Sequence, residues 1–200
     1  METFNPRGVE FGNWVPQVER QEYLNKTYDA IMDFCSVVGI SPKAFFLGGR
    51  LGIGFGSRGH SGALAHYETL KEVINLTRMK GAGSLAHEWF HALDNQLAKQ
   101  KTGNVSDMAT ATKDVVREEV ATAFRDFVTA MNALDYTKRS HRAGTYWGEV
   151  WERAARLFAD YTYNELGGKG VVSPLLARNP EGQQMEAEED FIASDWPYAT

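Results

Sequence analysis

Residues 81 to 95, GAGSLAHEWFHALDN, decide how this chain is read. His87 and His91 stand four residues apart, about one turn of an α-helix, so both imidazoles leave the same face and can grip one metal ion. Glu88 falls about 100° round the helix from His87, close enough to that face to hold a metal's water rather than the metal itself. The spacing suits hydrolysis: zinc acidifies its water, Glu88 takes the proton and later passes it to the leaving group, and the ion polarises the carbonyl under attack. Leu85, Ala86, Phe90, Ala92 and Leu93 make the segment apolar. Three ionisable groups within such a helix need partners, and a metal accounts for them better than chance internal hydrogen bonds do.

Ser84 is the expected N-cap, and the helix is expected to run to Leu97 or Gln100. Asp94 lies three residues past His91 on the same side. It either accepts an imidazole's second ring proton, as zinc histidines commonly require, or pairs with a nearby base. The polar stretch 101–110, KTGNVSDMAT, reads as a loop that covers the cleft or faces solvent.

Upstream, residues 1–18 read as an irregular lead-in with Pro6, Gly8, Gly12 and Pro16. From Val18 to Val38 the spacing of Leu24, Tyr28, Ile31, Phe34 and Cys35 predicts an amphipathic helix, closed by Gly39 and Pro42. Residues 44–57, AFFLGGRLGIGFGS, suggest a strand, a tight turn and a second, glycine-rich strand over Leu51 to Phe55. They match neither nucleotide-binding fingerprint, having no Gly-Lys-Ser/Thr and no helix opening at their end. Ala63 to Tyr67 and Val73 to Thr77 form an expected hairpin around Glu68 to Lys71, with His66 and Tyr67 turned towards the cleft or simply part of the strand.

Downstream, Asp114 to Leu134 carries a 3.6-residue apolar rhythm and predicts a helix with a solvated charged face. Residues 135–145, DYTKRSHRAGT, are a short basic segment. A further helix is expected over 146–163, YWGEVWERAARLFADYTY. A catalytic zinc takes three protein ligands and leaves one position for water. Glu152 is the preferred third ligand, Glu149 its rival, and Arg153 or Arg156 would steady acidic groups through a bidentate pair. Beyond Gly167 periodicity fades; VVSPLLA is expected to dock as an extended apolar segment.

Two hundred residues suit one domain, taken as 1–177, followed by an acidic tail or packed extension over 178–200. A formal net charge of -5 offers no broad electrostatic footprint for nucleic acid or an anionic membrane. Cys35 is the single cysteine, so no intrachain disulfide forms. No run of 18 apolar residues occurs and METFNPRGVE lacks the blocks of a signal peptide, so no membrane partner and a cytoplasmic location are expected.

The ordered series KAFFLGGRLGIGFGSRG, ALAHYE, VINLTR, KGAGSLAHEWFHALDN and YWGEVWERAARLFADY resembles the zinc-metallopeptidase-like domain called large polyvalent protein-associated domain 1. Such domains recur in long proteins of phages and conjugative elements. The likeness runs from about Val9 to Tyr163. It implies a compact α+β, zincin-like fold of the gluzincin type, with a small glycine-rich sheet, the His-Glu-x-x-His helix and a following glutamate-bearing helix. It also implies zinc held by His87, His91 and Glu152, with Glu88 as general base. Val150 and Asp160 depart from the pattern of many relatives, which carry proline and glutamate there. Tyr67, His141 and Tyr146 are the candidates for stabilising an oxyanion. The implied partner is a peptide or protein laid along an edge strand, with a host protein as one target and delivery into a host cell as part of a larger protein. Two other readings are a metal-stabilised protein-binding module and a nucleic-acid-associated accessory domain using Lys138, Arg139 and Arg142.

Overall fold

The computed structural model describes residues 4–13, 15–57, 65–76, 84–112, 114, 115, 117–171, 173, 175 and 176. The expected tail over 178–200 and the ends of the expected hairpin strands at Ala63, Leu64 and Thr77 lie outside them.

The fold is α+β, built on a four-stranded open sheet. Its strands are β1 (Val9–Phe11), β2 (Gly52–Phe55), β3 (Ala65–Glu68) and β4 (Val73–Leu76), in the order β1-β2-β4-β3. β1 pairs with β2 and β2 with β4 in parallel, whereas β3 and β4 form the expected antiparallel hairpin. All four positions of β2 and of β4 are buried, which is why neither alternates: β2 is glycine and apolar residues throughout and β4 is apolar except for the buried Asn75. β1 corrects the irregular reading of residues 1–18. A three-residue strand is too short to show alternation, and its place is set by partners: Val9 lies opposite Ile53, and Phe11 stacks on Phe55 at 5.0 Å.

Helix α1 (Gln17–Val38) buries Thr27, Ala30, Ile31, Phe34 and Cys35, and Gly39 ends it in a left-handed conformation at φ 74°. Leu24 and Tyr28, expected in its packing face, are partly exposed instead. The first expected strand of the glycine-rich region is a helical turn, α2 (Pro42–Phe45). Pro42 pre-sets its first residue and Ser41 Oγ accepts from Ala44 N, a local capping signal that outweighs the strand preference of Phe45 and Phe46. Both rings go into the core.

The motif segment is α3 (Leu85–Thr102). Ser84 stands at its N-cap but makes no side-chain capping bond. The docked C-terminal segment does that work: Leu85 N and Ala86 N donate to the carbonyls of Leu175 and Leu176 at 3.4 and 3.1 Å, and Leu176 is fully buried.

Among the described residues four helices follow: α4 (Glu118–Ala133), α5 (Asp135–Ala143), α6 (Thr145–Gly148) and α7 (Val150–Gly168). The helix expected from Asp114 therefore starts at Glu118. The basic segment is itself helical, burying Tyr136, Thr137 and Ser140. The helix expected over 146–163 breaks at Glu149, which is extended (φ -60°, ψ 137°) and forms the N-cap of α7. α7 lies against α3 with Ala154 and Ala155 fully buried, small side chains that let the helices approach closely. No helix among the described residues is long and apolar enough to cross a membrane.

Trp89 joins the motif helix to the rest of the core. Its ring lies 4.7 Å from Phe34 and 5.9 Å from Phe158, and its Nε1 donates to Phe45 O at 2.8 Å. Trp89→Ala removes this packing and leaves a buried carbonyl unpaired, so urea unfolding should show a loss of about 3–5 kcal/mol. Trp89→Phe is expected to recover more than half of that loss.

Candidate metal centre

α3 supplies two imidazoles from one face. His87 Nε2 and His91 Nε2 stand 3.0 Å apart. The first turn of α7 brings Glu152 across to them, with Oε2 3.5 Å from His87 Nε2 and Oε1 3.3 Å from His91 Nε2. Among the described residues these three form the cluster of ligand-type side chains whose donor atoms all lie within 4.8 Å of one another. Around a tetrahedral zinc, with bonds of about 2.0–2.2 Å to nitrogen or oxygen, neighbouring ligand atoms are about 3.3–3.5 Å apart. The two imidazole nitrogens, 3.0 Å apart, and a carboxylate with one oxygen 3.3 Å from His91 and the other 3.5 Å from His87 are close enough to share one tetrahedral ion, which would keep its fourth vertex free. His91 and Glu152 are almost closed off, whereas the His87 side chain keeps 19% of its exposure, so the centre opens on the His87 side.

Electrostatics follows from this packing. Burial works to raise the Glu152 carboxyl, but hydrogen bonds from His87 and His91, with the charge of both rings, hold it well below the usual carboxylate range. Burial likewise works against a charged His91, yet Glu152 and the charges of Glu88 and Asp94 raise its pKa above the ordinary histidine value. A metal ion arriving here must displace a proton. Glu88, on the same turn of α3, is buried and acts electrostatically on both His91 and Tyr146.

Glu152 is held from behind by Arg156, which is buried. Its Nη1 reaches Glu152 Oε2 at 3.4 Å, Nη2 donates to Trp147 O at 2.6 Å, Nε meets Tyr136 Oη at 3.4 Å, and the guanidinium lies 4.5 Å over the Trp147 ring. The expected bidentate clamp is thus a single bond, because the other donors are spent on the α5–α6 corner. Arg153 does not reach the acid; it binds Gly148 O, Asn132 Oδ1 and Thr137 Oγ1. Glu149, the rival third ligand, is at the N-cap of α7 and outside the cluster.

Asp94 serves the loop. Its Oδ1 accepts from Thr110 N at 2.8 Å and its Oδ2 from Thr110 Oγ1 at 2.7 Å, while burial raises the carboxyl to about 6. His91 Nδ1 is buried with no hydrogen-bond partner among the described residues, and Asp94, turned to Thr110, does not supply the second-proton contact. Asn95 Nδ2 donates to the carbonyls of Val105 and Asp107, and the 101–110 stretch is therefore bound along α3 rather than loose in solvent.

Of the three hydroxyl or imidazole candidates, one reaches the acids. The Tyr146 ring is largely exposed, but its hydroxyl end lies towards Glu152, and local desolvation there, together with the charges of Glu152 and Glu88, pushes its pKa up. Tyr67 donates instead to Asn95 Oδ1 at 3.1 Å, a turn beyond His91, and burial pushes it to about 12. His141 packs on Gly148, where an added Cβ would stand 2.6 Å from its Nδ1. Sequence reasoning missed Tyr136, whose hydroxyl donates to Arg153 O and meets Arg156. The four-residue spacing of Tyr136 and Ser140 was its signal, masked by the surrounding charges.

The arrangement is gluzincin-like: a His-Glu-x-x-His helix and a glutamate from a following helix on an α+β scaffold. No protein-family model, curated protein or solved structure matches the chain.

Elemental analysis after zinc reconstitution should find about one zinc per wild-type chain and a marked loss in Glu152→Ala, with Glu149→Ala like wild type. Equal zinc in the wild type and Glu152→Ala would reject Glu152 as a ligand. Zinc should be released as the pH falls through the histidine range, and because the His91 pKa is raised, release should begin at higher pH than for an ordinary histidine.

Proposed function

We propose that the chain is a zinc-dependent endopeptidase in which His87, His91 and Glu152 hold the ion and Glu88 is the general base. The observation that carries this reading is the convergence of the His87 and His91 Nε2 atoms, 3.0 Å apart, on the Glu152 carboxylate, whose oxygens lie 3.3 and 3.5 Å from them, with the buried carboxylate of Glu88 on the adjacent residue. Zinc, when bound, supplies the Lewis acidity that activates a water and polarises a peptide carbonyl.

The protein's own groups carry the proton. The Glu88 carboxylate takes one from the attacking water as the water oxygen bonds to the carbonyl carbon. It returns that proton to the amide nitrogen as the C–N bond breaks, leaving a carboxylic acid and an amine. Tyr146 is the donor assigned to the oxyanion, because its hydroxyl already lies beside Glu152 and needs only to turn from that oxygen towards the substrate. Among the described residues β3 is the outer strand of the sheet, packed beside α3, which is the position from which a sheet takes on an extended peptide. The resemblance to phage and conjugative-element domains supports a protein of the host as the substrate and the cytoplasm as the place of action.

Glu88→Gln should keep its zinc and lose about 10²–10⁴-fold in peptide hydrolysis. Turnover equal to wild type in that variant would sink the assignment. Tyr146→Phe should lower kcat by about 10²-fold with little change in KM. A fully zinc-loaded wild type that cleaves none of a diverse set of protein substrates would point instead to a metal-stabilised binding module.

A further inference from the structure

Asn95 is fully buried, and both ends of its side-chain amide are bonded. Its Oδ1 accepts from the Tyr67 hydroxyl of β3 at 3.1 Å, and its Nδ2 donates to Val105 O at 3.0 Å and to Asp107 O at 2.9 Å. One hydroxyl and two carbonyls call for one acceptor and two donors from a single planar group, which asparagine supplies and aspartate does not. Burial pushes the Tyr67 pKa up to about 12, so the hydroxyl keeps the proton it donates. Asn95 stands four residues beyond His91 and eight beyond His87, on the ligand side of α3 and about 6 Å along the helix from His91. The hairpin of β3 and β4 is pinned to α3 at a second point, where Lys99 Nζ donates to Glu72 Oε1 at 2.7 Å. Asn95 and Lys99 are one turn apart, so from Glu72 back through Tyr67 to Ala65 the chain passes along α3 towards His91.

We propose that Asn95 is a positioning residue for peptide binding at the metal centre: acting through Tyr67, it fixes β3 over α3 in the register at which a peptide added to β3 presents its carbonyl beside His87 and His91. The inference rests on the peptidase reading. A peptide that extends a sheet takes its register from the strand it joins. A slip of one residue moves each carbonyl by about 3.3 Å and turns every side chain to the other face. That displacement is as large as the 3.0 Å between the two imidazole nitrogens, so a strand free to slide over α3 would carry the carbonyl out of reach of an ion held there. The Tyr67–Asn95 bond resists such sliding, and the bonds to Val105 and Asp107 keep the amide from turning away.

The zinc-reconstituted full chain would be titrated by calorimetry with two metal-binding probes, acetohydroxamate and a hydroxamate joined to leucyl-alanyl-alanine amide, with zinc retention checked by elemental analysis. In the wild type the peptide part should tighten binding by about 100-fold or more. Tyr67→Phe keeps the ring and removes only the hydroxyl; it and Asn95→Ala should each lose about tenfold or more of that gain while binding acetohydroxamate as the wild type does. Wild type that binds neither probe would reject the metal centre and this inference with it. Binding of both probes with equal affinity by the wild type would keep the metal centre and overturn the inference. A gain undiminished in Tyr67→Phe would overturn it while leaving the peptidase reading standing. Equal weakening of both probes in the two variants would reduce Asn95 to a residue that merely holds the fold, and so would overturn it as well.

Discussion

A carboxylate buried opposite two imidazoles is the constraint on which this structure depends. Glu152 is nearly closed off from solvent, and an isolated carboxylate in that position would neutralise itself or unfold its surroundings. His87 and His91 prevent this only if α3 and α7 are held in one register, because a shift of a single turn moves a ligand atom by about 5.4 Å. The core around the site supplies that register. Ala86, Ala92, Ala154 and Ala155 are fully buried. Trp89 and Phe158 stack nearly parallel, at an interplanar angle of 24°, and so tie the two helices together beside the centre. Residues on one turn of α3 thus split their duties, His87, Glu88 and His91 facing the site while Trp89 faces the core.

The ends of both helices are fixed by parts of the chain distant in sequence. The carbonyls of Leu175 and Leu176 take up free N–H groups at the start of α3, two residues before His87. Arg153 and Arg156 gather Gly148, Trp147, Tyr136, Thr137 and Asn132 around the start of α7. The break at Glu149 makes that corner: it turns α6 so that Tyr146 can lie towards Glu152, which a continuous helix over 146–163 would not allow, since residues six apart are about 120° round and about 9 Å along a helix.

That break also shows where the sequence stopped being legible. Glu149 has an ordinary helical preference, and nothing between Tyr146 and Tyr163 is a glycine-proline signal strong enough to split the run except Gly148, which helices tolerate. The clustering of His87, His91 and Glu152 was legible because helical periodicity puts the two histidines on one face, and because Glu152 sits inside a second strongly periodic run. β1 was not, since three residues carry no period and their strand character comes from β2. Nor was the fate of Asp94, whose partner Thr110 lies in a loop that no local pattern ties to α3. The α2 turn was misread from Phe45 and Phe46, although Ser41 and Pro42 carried the opposite and stronger signal.

Arg156 bears on how Glu152 can act. A cation next to a metal-binding carboxylate competes with the ion for its charge, and a free guanidinium could take both oxygens. Here it cannot. Its shortest bond, 2.6 Å, goes to Trp147 O, and the Trp147 ring covers its face, so a single longer contact of 3.4 Å is left for Oε2. Oε1 remains directed at His91. The arginine therefore orients the carboxylate and withdraws part of its charge without occupying it. A ligand with its charge partly withdrawn donates less to a metal, leaving the ion more acidic towards the water and carbonyl it would meet. Arg156 thus supplements His87 and His91 in offsetting the burial of Glu152 while leaving Oε1 directed at His91.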